Sequence, residues 1–307
     1  MEDHERDKRL NNLAGNLGTP SSTDYSNDDD KSPKVSKEEI ITLAFACHAK
    51  GKIKEASKYY QLFLDLGFIH PLVFSNLGAI YYQIGQTEKA INLYKRSISL
   101  FPNSPEAYNN LANTLKDIGE LEEAEKATRK AIEIKPELAE AHCTLGNIMI
   151  ELGKIKEAEI SIRKAINLKP LYGIAHYNLG EILIKSEEFK EAELSTRRSI
   201  ELLPDFAYAH NNLGNILSKL GNDKEAESSI LRAIKLKPEF AIAYSNLGNL
   251  LKDRGRLNEA ESLTRKAVNL KPDLAEAHLN LGVILRDLGK LKDAELSMLK
   301  AIEINPS

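Results

Sequence analysis

No stretch of this sequence is apolar over the ~18 residues that a membrane-spanning helix needs. The opening residues, MEDHERDKRLNNLAG, lack the apolar core of a secretory signal. Neither charge is in excess: 42 basic residues stand against 45 acidic ones. The basic surplus of a nucleic-acid or acidic-membrane binder is therefore missing. These absences predict a soluble, cytoplasmic chain with no nucleic-acid and no membrane partner. Catalytic signatures are missing too. No nucleophile–base set and no cysteine–histidine metal spacing stands out. The frequent Leu-Gly-Asn triplets lack the strand–turn–helix setting and the GxxxxGK pattern of a phosphate loop. The expectation is no enzyme, no metal and no cofactor.

What the sequence has is period. The stretch Tyr108 to Pro136, YNNLANTLKDIGELEEAEKATRKAIEIKP, returns with edits along most of the chain. Pro102, Pro136, Pro170, Pro204, Pro238, Pro272 and Pro306 each stand 34 residues from the next. Leu43 through Leu281 and Ala56 through Ala294 keep the same step. A fixed period of this length marks a solenoid, in which each repeat packs only on its neighbours. That also explains how 307 residues avoid the ~250–300-residue ceiling of a single core.

Within a repeat, apolar residues fall three and four apart, as on amphipathic helices. Tyr108, Leu111, Ala112 and Leu115 form one stripe; Ala124, Ala127, Ala131, Ile132 and Ile134 populate the next helix. Gly78, Gly146, Gly180, Gly214, Gly248 and Gly282 sit mid-helix, where glycine costs ~1 kcal/mol against alanine. Close approach of a second helix accounts for that cost, so each repeat reads as a tight helical hairpin. Proline after the second helix turns the chain back.

The 34-residue period with these residue types resembles the tetratricopeptide repeat (TPR) family. Counting from Lys37, the resemblance covers repeats 37–70, 71–104, 105–138, 139–172, 173–206, 207–240, 241–274 and 275–307, behind a tail of residues 1–36. It implies an all-α, right-handed α-solenoid of eight TPR helix-turn-helix repeats. The tail is rich in Asp, Asn, Ser and Lys and poor in large apolar residues, a composition that predicts disorder.

Local signals refine the layout. Ser36 and Glu39 form a capping box at the first helix. Gly51, Gly85, Gly119, Gly153, Gly221, Gly255 and Gly289 supply left-handed stops after first helices. Repeat five has Glu187 in that slot, which predicts a longer or strained turn. Repeat one is atypical, with Phe63, Leu64 and Phe68 where later repeats differ. No further helix follows Met298, Leu299 and Ile302. That leaves two readings open: a face for another protein, such as a homodimer through the uncapped C-terminal repeat, or the front of a longer architecture. Cys47 and Cys143 lie almost three repeats apart, beyond disulfide reach. Cys47 reads as a core residue and Cys143 as lying on the inner face.

Three side-chain rows carry the functional question. His142, His176, His210 and His278 share a register with Tyr108 and Tyr244. Successive repeats are at least ~8–10 Å apart, so these histidines cannot share one ion. They read as substitutes for the aromatic of the hairpin contact. Arg129-Lys130, Arg163-Lys164, Arg197-Arg198 and Arg265-Lys266 each follow a glutamate four residues before the arginine. That spacing supports helices and neutralises an outer face, against a nucleic-acid stripe.

The third row is asparagine. Asn76, Asn110, Asn178, Asn212, Asn246 and Asn280 occupy one register, with Asn113, Asn147, Asn215 and Asn249 one turn on. Asparagine is a poor helix former, but its amide matches the C=O and N–H of a peptide backbone. In the TPR family this face lines the concave groove. The row looks like the TPR arm of the O-linked N-acetylglucosamine transferase, where an Asn ladder binds protein substrates. The resemblance thus implies a scaffold that holds an extended protein or peptide segment with these ten asparagines. Copying by recent duplication is the competing account. Tyr82, Tyr177 and Tyr208 join the same face. Its acids, among them Glu106, Asp117, Glu140, Glu181, Asp253 and Asp287, outnumber the bases Lys116, Lys185, Lys219, Lys252 and Arg286. The opening lysine of chaperone-tail clamps is replaced by Ser75, Asn109, Tyr177, Asn211 and Ser245, which argues against that ligand. An alternative reading makes the array a substrate-presenting arm, or a relative, of a TPR-containing glycosyltransferase or sulfotransferase.

Overall fold

The computed structural model describes residues 36–306. The disorder expected of residues 1–35 lies outside the described residues. Among those described there are sixteen α-helices and no strand. They come in pairs: α1 Lys37–Ala49 with α2 Ile53–Asp65, α3 Pro71–Gln83 with α4 Thr87–Leu100, and α5 Pro105–Asp117 with α6 Leu121–Ile134. Then follow α7 Ala139–Glu151 and α8 Ile155–Leu168, α9 Gly173–Lys185 and α10 Phe189–Leu202, α11 Ala207–Lys219 and α12 Asp223–Leu236. The last pairs are α13 Ala241–Asp253 with α14 Leu257–Leu270, and α15 Ala275–Asp287 with α16 Leu291–Ile304. The chain divides into two compact units, one ending at Thr144 and one beginning at Leu145. This is the all-α repeat array of eight hairpins that the period predicts.

The hairpins close where small residues let helices touch. A methyl group added at Gly146 would lie 2.5 Å from Ile162 of α8, and one at Gly78 would lie 2.5 Å from the Tyr94 ring of α4. Only hydrogen fits, which explains glycine in mid-helix. Ala44 and Ala112 hold the same site in their repeats and are fully buried. In the first unit the core of repeats one and two contains Tyr60, Phe63, Phe74 and Leu77, so the unusual Phe63 and Leu64 of repeat one fill that core. In the second, Leu217, Ile230, Leu247, Leu251 and Ile284 are among the core residues.

The caps follow the sequence. Ser36 and Glu39 exchange both capping-box hydrogen bonds at 3.1 Å. Gly51 through Gly289 take positive φ at the stops. Glu187 adopts φ 60 in the same place. The turn is therefore no longer than its neighbours: Glu188 N–H still bonds Leu183 C=O at 2.9 Å, as Asn222 bonds Leu217 at 2.8 Å. Strain, and not length, absorbs the missing glycine.

The histidine row is a loop clip. Nε2 of His142, His176, His210 and His278 donates to the carbonyl of Pro136, Pro170, Pro204 and Pro272, at 2.8–2.9 Å. Each ring thus secures the turn that precedes its own helix. The cysteines form no disulfide. Cys143, expected on the inner face, is 2% exposed and buried there. On the last helix, Leu291, Leu296, Leu299 and Ile302 are exposed. No described helix is long and apolar enough to cross a membrane.

Candidate functional site

The ten asparagines lie on first helices at their sixth and ninth residues, spaced so that both fall on one helix face. Nine are half-buried; Asn178 is 5% exposed. Within each unit most of them are already bonded, several of them across repeats, and Asn147 and Asn178 bond each other. In the first unit, Asn76 Nδ2 donates to Tyr60 Oη at 3.0 Å. Asn113 Nδ2 donates to the Asn109 carbonyl of its own helix at 3.1 Å, and its Oδ1 accepts from Thr144 at 3.3 Å. Asn110 makes no side-chain bond among the described residues.

In the second unit, Asn178 Nδ2 donates to Asn147 Oδ1 at 2.7 Å. Asn212 bonds the Tyr177 hydroxyl. Asn246 Nδ2 donates to Asn211 Oδ1 at 2.9 Å, and Asn280 Nδ2 to Ser245 Oγ at 3.0 Å. Asn249 Oδ1 accepts from Lys252 at 3.0 Å. Asn215 spends neither end of its amide among the described residues. The sixth residue of a first helix thus reaches back to the preceding repeat at Asn76, Thr144, Asn178, Asn212, Asn246 and Asn280, but not at Asn110. Tyr60 had no place in the sequence expectation, and Asn211 and Ser245 entered it only as replacements of a clamp lysine, not as acceptors. Their only sequence signal is a polar residue at the fifth position of a first helix, or a tyrosine on the second.

These bonds use one end of most amides. Oδ1 of Asn246 and of Asn280 remains without a partner among the described residues, as do both ends of Asn110 and Asn215. Asn109 carries the converse defect: its Oδ1 is buried and unbonded. The residue that would reach it from the next repeat is Thr144, whose shorter side chain turns to Asn113 and to the Glu140 carbonyl instead.

Aromatic residues gather beside the amides in the second unit. Ring centroids of Tyr177 and Phe206 are 4.9 Å apart, Phe206 and Tyr208 5.5 Å, Tyr208 and Phe240 4.8 Å. Such spacings suit edge-on and tilted contacts. Lys237 Nζ lies 4.6 Å from the Tyr208 centroid. Tyr208 is 39% exposed. Burial, then the adjacent Glu181 carboxylate, push the Tyr177 hydroxyl far above the ordinary tyrosine range, against the opposing bond from Asn212. It stays a proton donor, and it donates to Glu181 at 2.7 Å. In the first unit Tyr82 donates to Asp117, which also pairs with Lys116.

The outer row is neutralised as its spacing predicts. Arg129, Arg163, Arg197 and Arg265 bond Glu125, Glu159, Glu193 and Glu261 of the same helix. Arg163 and Arg197 also reach Glu191 and Glu225 of the next repeat at 2.8 and 2.7 Å.

Tetratricopeptide-repeat models match the chain along its length. They are described as TPR repeat over residues 78–119 and as tetratricopeptide repeat over 38–64, 105–138, 139–170, 207–240 and 245–307. Together they cover more than half of the chain. Among curated proteins none matches. Among solved structures, a chain of the crystal structure of the APC/C hetero-tetramer Cut9–Hcn1 is similar at a TM-score of 0.71 and 15% identity, over 89% of this chain and 54% of that one. This chain thus spans about half the length of that relative. A chain from the functional characterization of Pseudomonas aeruginosa pilF has a TM-score of 0.57 at 20% identity, over 66% of this chain and 92% of that one. YrrB, a TPR protein with an unusual peptide-binding site, is 28% identical with a TM-score of 0.48, over 60% of this chain and 95% of that one.

Proposed function

Since the chain belongs to the tetratricopeptide-repeat family, we propose that it is a non-catalytic scaffold holding an extended segment of another protein along its first-helix face. One observation carries this reading. The half-buried amides keep hydrogen-bonding capacity after their bonds between repeats are made, and Asn110 and Asn215 keep all of it. An asparagine is a poor choice for a helix, and the amides of Asn110 and Asn215 return no bond to the fold for that cost. Alternating donors and acceptors of an extended backbone satisfy both objections, with little regard to the ligand's side chains.

The test uses those two residues because nothing in the fold depends on their amides. A displayed library of random sixteen-residue peptides is selected against the full chain and against Asn110→Ala/Asn215→Ala. Peptides enriched on the unaltered chain are expected to lose at least tenfold in affinity on the variant, by fluorescence anisotropy, with unchanged circular dichroism. Equal affinity for both chains would make the row a device of the fold alone.

A further inference from the structure

The first-helix face of the second unit is banded. Near the N-terminal ends of α9, α11 and α13 lie Ile174, Tyr208 and Ile242, with the Tyr177–Phe206–Tyr208–Phe240 ring contacts beneath. The amides at the sixth and ninth residues form the middle. Lys185, Lys219 and Lys252 stand at the thirteenth, thirteenth and twelfth residues. At ~1.5 Å per residue the outer bands are ~15–16 Å apart. The cross-repeat bonds Tyr177–Asn212 and Asn211–Asn246 show that the middle bands of α9, α11 and α13 adjoin.

The charges on this face are not equally available. Glu181 takes the Tyr177 hydroxyl, Asp253 pairs with Lys252 at 3.0 Å and Asp287 pairs with Arg286 at 2.9 Å. Lys185 and Lys219 are exposed and have neither an ion-pair nor a hydrogen-bond partner among the described residues. A lysine in the last turn also suits the helix dipole. Yet the same position is acidic in α7, α13 and α15, at Glu151, Asp253 and Asp287, so the dipole does not dictate it. The unspent charge at this edge of α9 and α11 is positive.

An extended strand projects successive side chains in opposite directions, with its N–H and C=O groups at right angles to them. Laid across the first helices, its backbone faces the amide band while alternate side chains point to the two edges. One edge is apolar and aromatic, its one lysine, Lys237, being spent on the Tyr208 hydroxyl and ring; the other is cationic. We infer that the second unit selects an extended segment whose alternate side chains are apolar and acidic. This inference rests on the groove reading above and adds the ligand's chemistry. Ten such residues, at ~3.3 Å each, cover the ~30 Å of four first helices.

Four labelled ten-residue peptides test it by anisotropy on the full chain at low salt: Leu alternating with Glu, with Gln and with Lys, and a block of five Leu followed by five Glu. The alternating Leu/Glu peptide is expected to bind at least tenfold tighter than Leu/Gln and than the block peptide. Lys185→Glu/Lys219→Glu is expected to reverse the preference toward Leu/Lys, with an unchanged melting curve. If Leu/Gln binds as tightly as Leu/Glu, or the block peptide matches the alternating one, the selectivity is refuted while the groove stands. If none of the four binds, both readings fall.

Discussion

Replacing Asn246 by alanine separates the two jobs that the asparagine row can do. Its Nδ2 donates to Asn211 Oδ1 at 2.9 Å, and Asn211 is 3% exposed. Truncation leaves that buried oxygen without its donor, a cost of ~1–3 kcal/mol. Alanine returns up to ~0.7 kcal/mol of helix propensity. The net expectation is a loss of ~0.5–2 kcal/mol, combining these two. Asn215→Ala breaks no bond and should stabilise by a few tenths to ~0.7 kcal/mol. Adding Asn212→Ala to Asn246→Ala should lower stability further, since Asn212 also reaches the preceding repeat at Tyr177. Repeat arrays can unfold piecewise, so the assay is native-state hydrogen exchange of α11 and α13 amides in the full chain. Asn211→Ala and the double variant complete a cycle, with a coupling of ~0.5 kcal/mol or more expected for bonded neighbours. A stable Asn246→Ala chain, or zero coupling, would refute the stitch.

Four further outcomes follow from the same geometry. Thr144→Asn should reach the orphaned Asn109 oxygen and stabilise the first unit by ~0.5–1 kcal/mol, read as slower exchange in α5. Glu187→Gly removes a side chain from the left-handed region and should stabilise by ~1 kcal/mol, visible as a higher midpoint in thermal unfolding. Gly146→Ala puts its methyl 2.5 Å from Ile162; overpacking of ~1–3 kcal/mol outweighs ~1 kcal/mol of propensity, and the losses from Gly146→Ala and Ile162→Ala should be less than additive in the double variant, by thermal unfolding. The Glu261 carboxyl is held below its ordinary range, first by the Lys290 hydrogen bond and then by Arg265. Its contribution is present above the unfolded carboxylate pKa and is lost as pH falls through the lower folded value. Acid unfolding of the α14–α16 region should therefore start at a higher pH in Lys290→Ala.

Helix number and the hairpin pairs were legible because the period repeats every local signal. The caps at Ser36 and at the stop glycines need only three to five neighbouring residues, and they form as read. Glu187 was legible as a misfit but not in its outcome, since a turn can lengthen or strain and only its neighbours decide. The asparagine bonds were hidden for a different reason. Asn246 and Asn211 lie 35 residues apart, and their contact depends on how one repeat rotates against the next. The histidine clip was hidden because its acceptor is a backbone carbonyl, which sequence does not mark. The aromatic run from Tyr177 to Phe240 combines first-helix and turn positions from two repeats, so no single-repeat pattern shows it.

Two seams join consecutive repeats, and salt should tell them apart. The inner seam is made of neutral amides such as Asn246–Asn211, shielded from solvent on the acceptor side. The outer seam is ionic: Arg197 bonds Glu193 of its own helix and Glu225 of the next repeat, with the arginine 38% exposed. Exposed pairs contribute ~0–1 kcal/mol and weaken as salt shortens the screening length from ~10 Å at 0.1 M to ~3 Å at 1 M. Neutral hydrogen bonds have no such dependence. Arg197→Ala should therefore cost little at 0.1 M salt and nothing measurable at 1 M, while the Asn246→Ala penalty stays constant across that range. Parallel salt series of hydrogen exchange in α11 and α13 for the two variants would measure this. If the Asn246→Ala penalty fades with salt as the Arg197→Ala penalty does, charge and not amide pairing holds the inner face together.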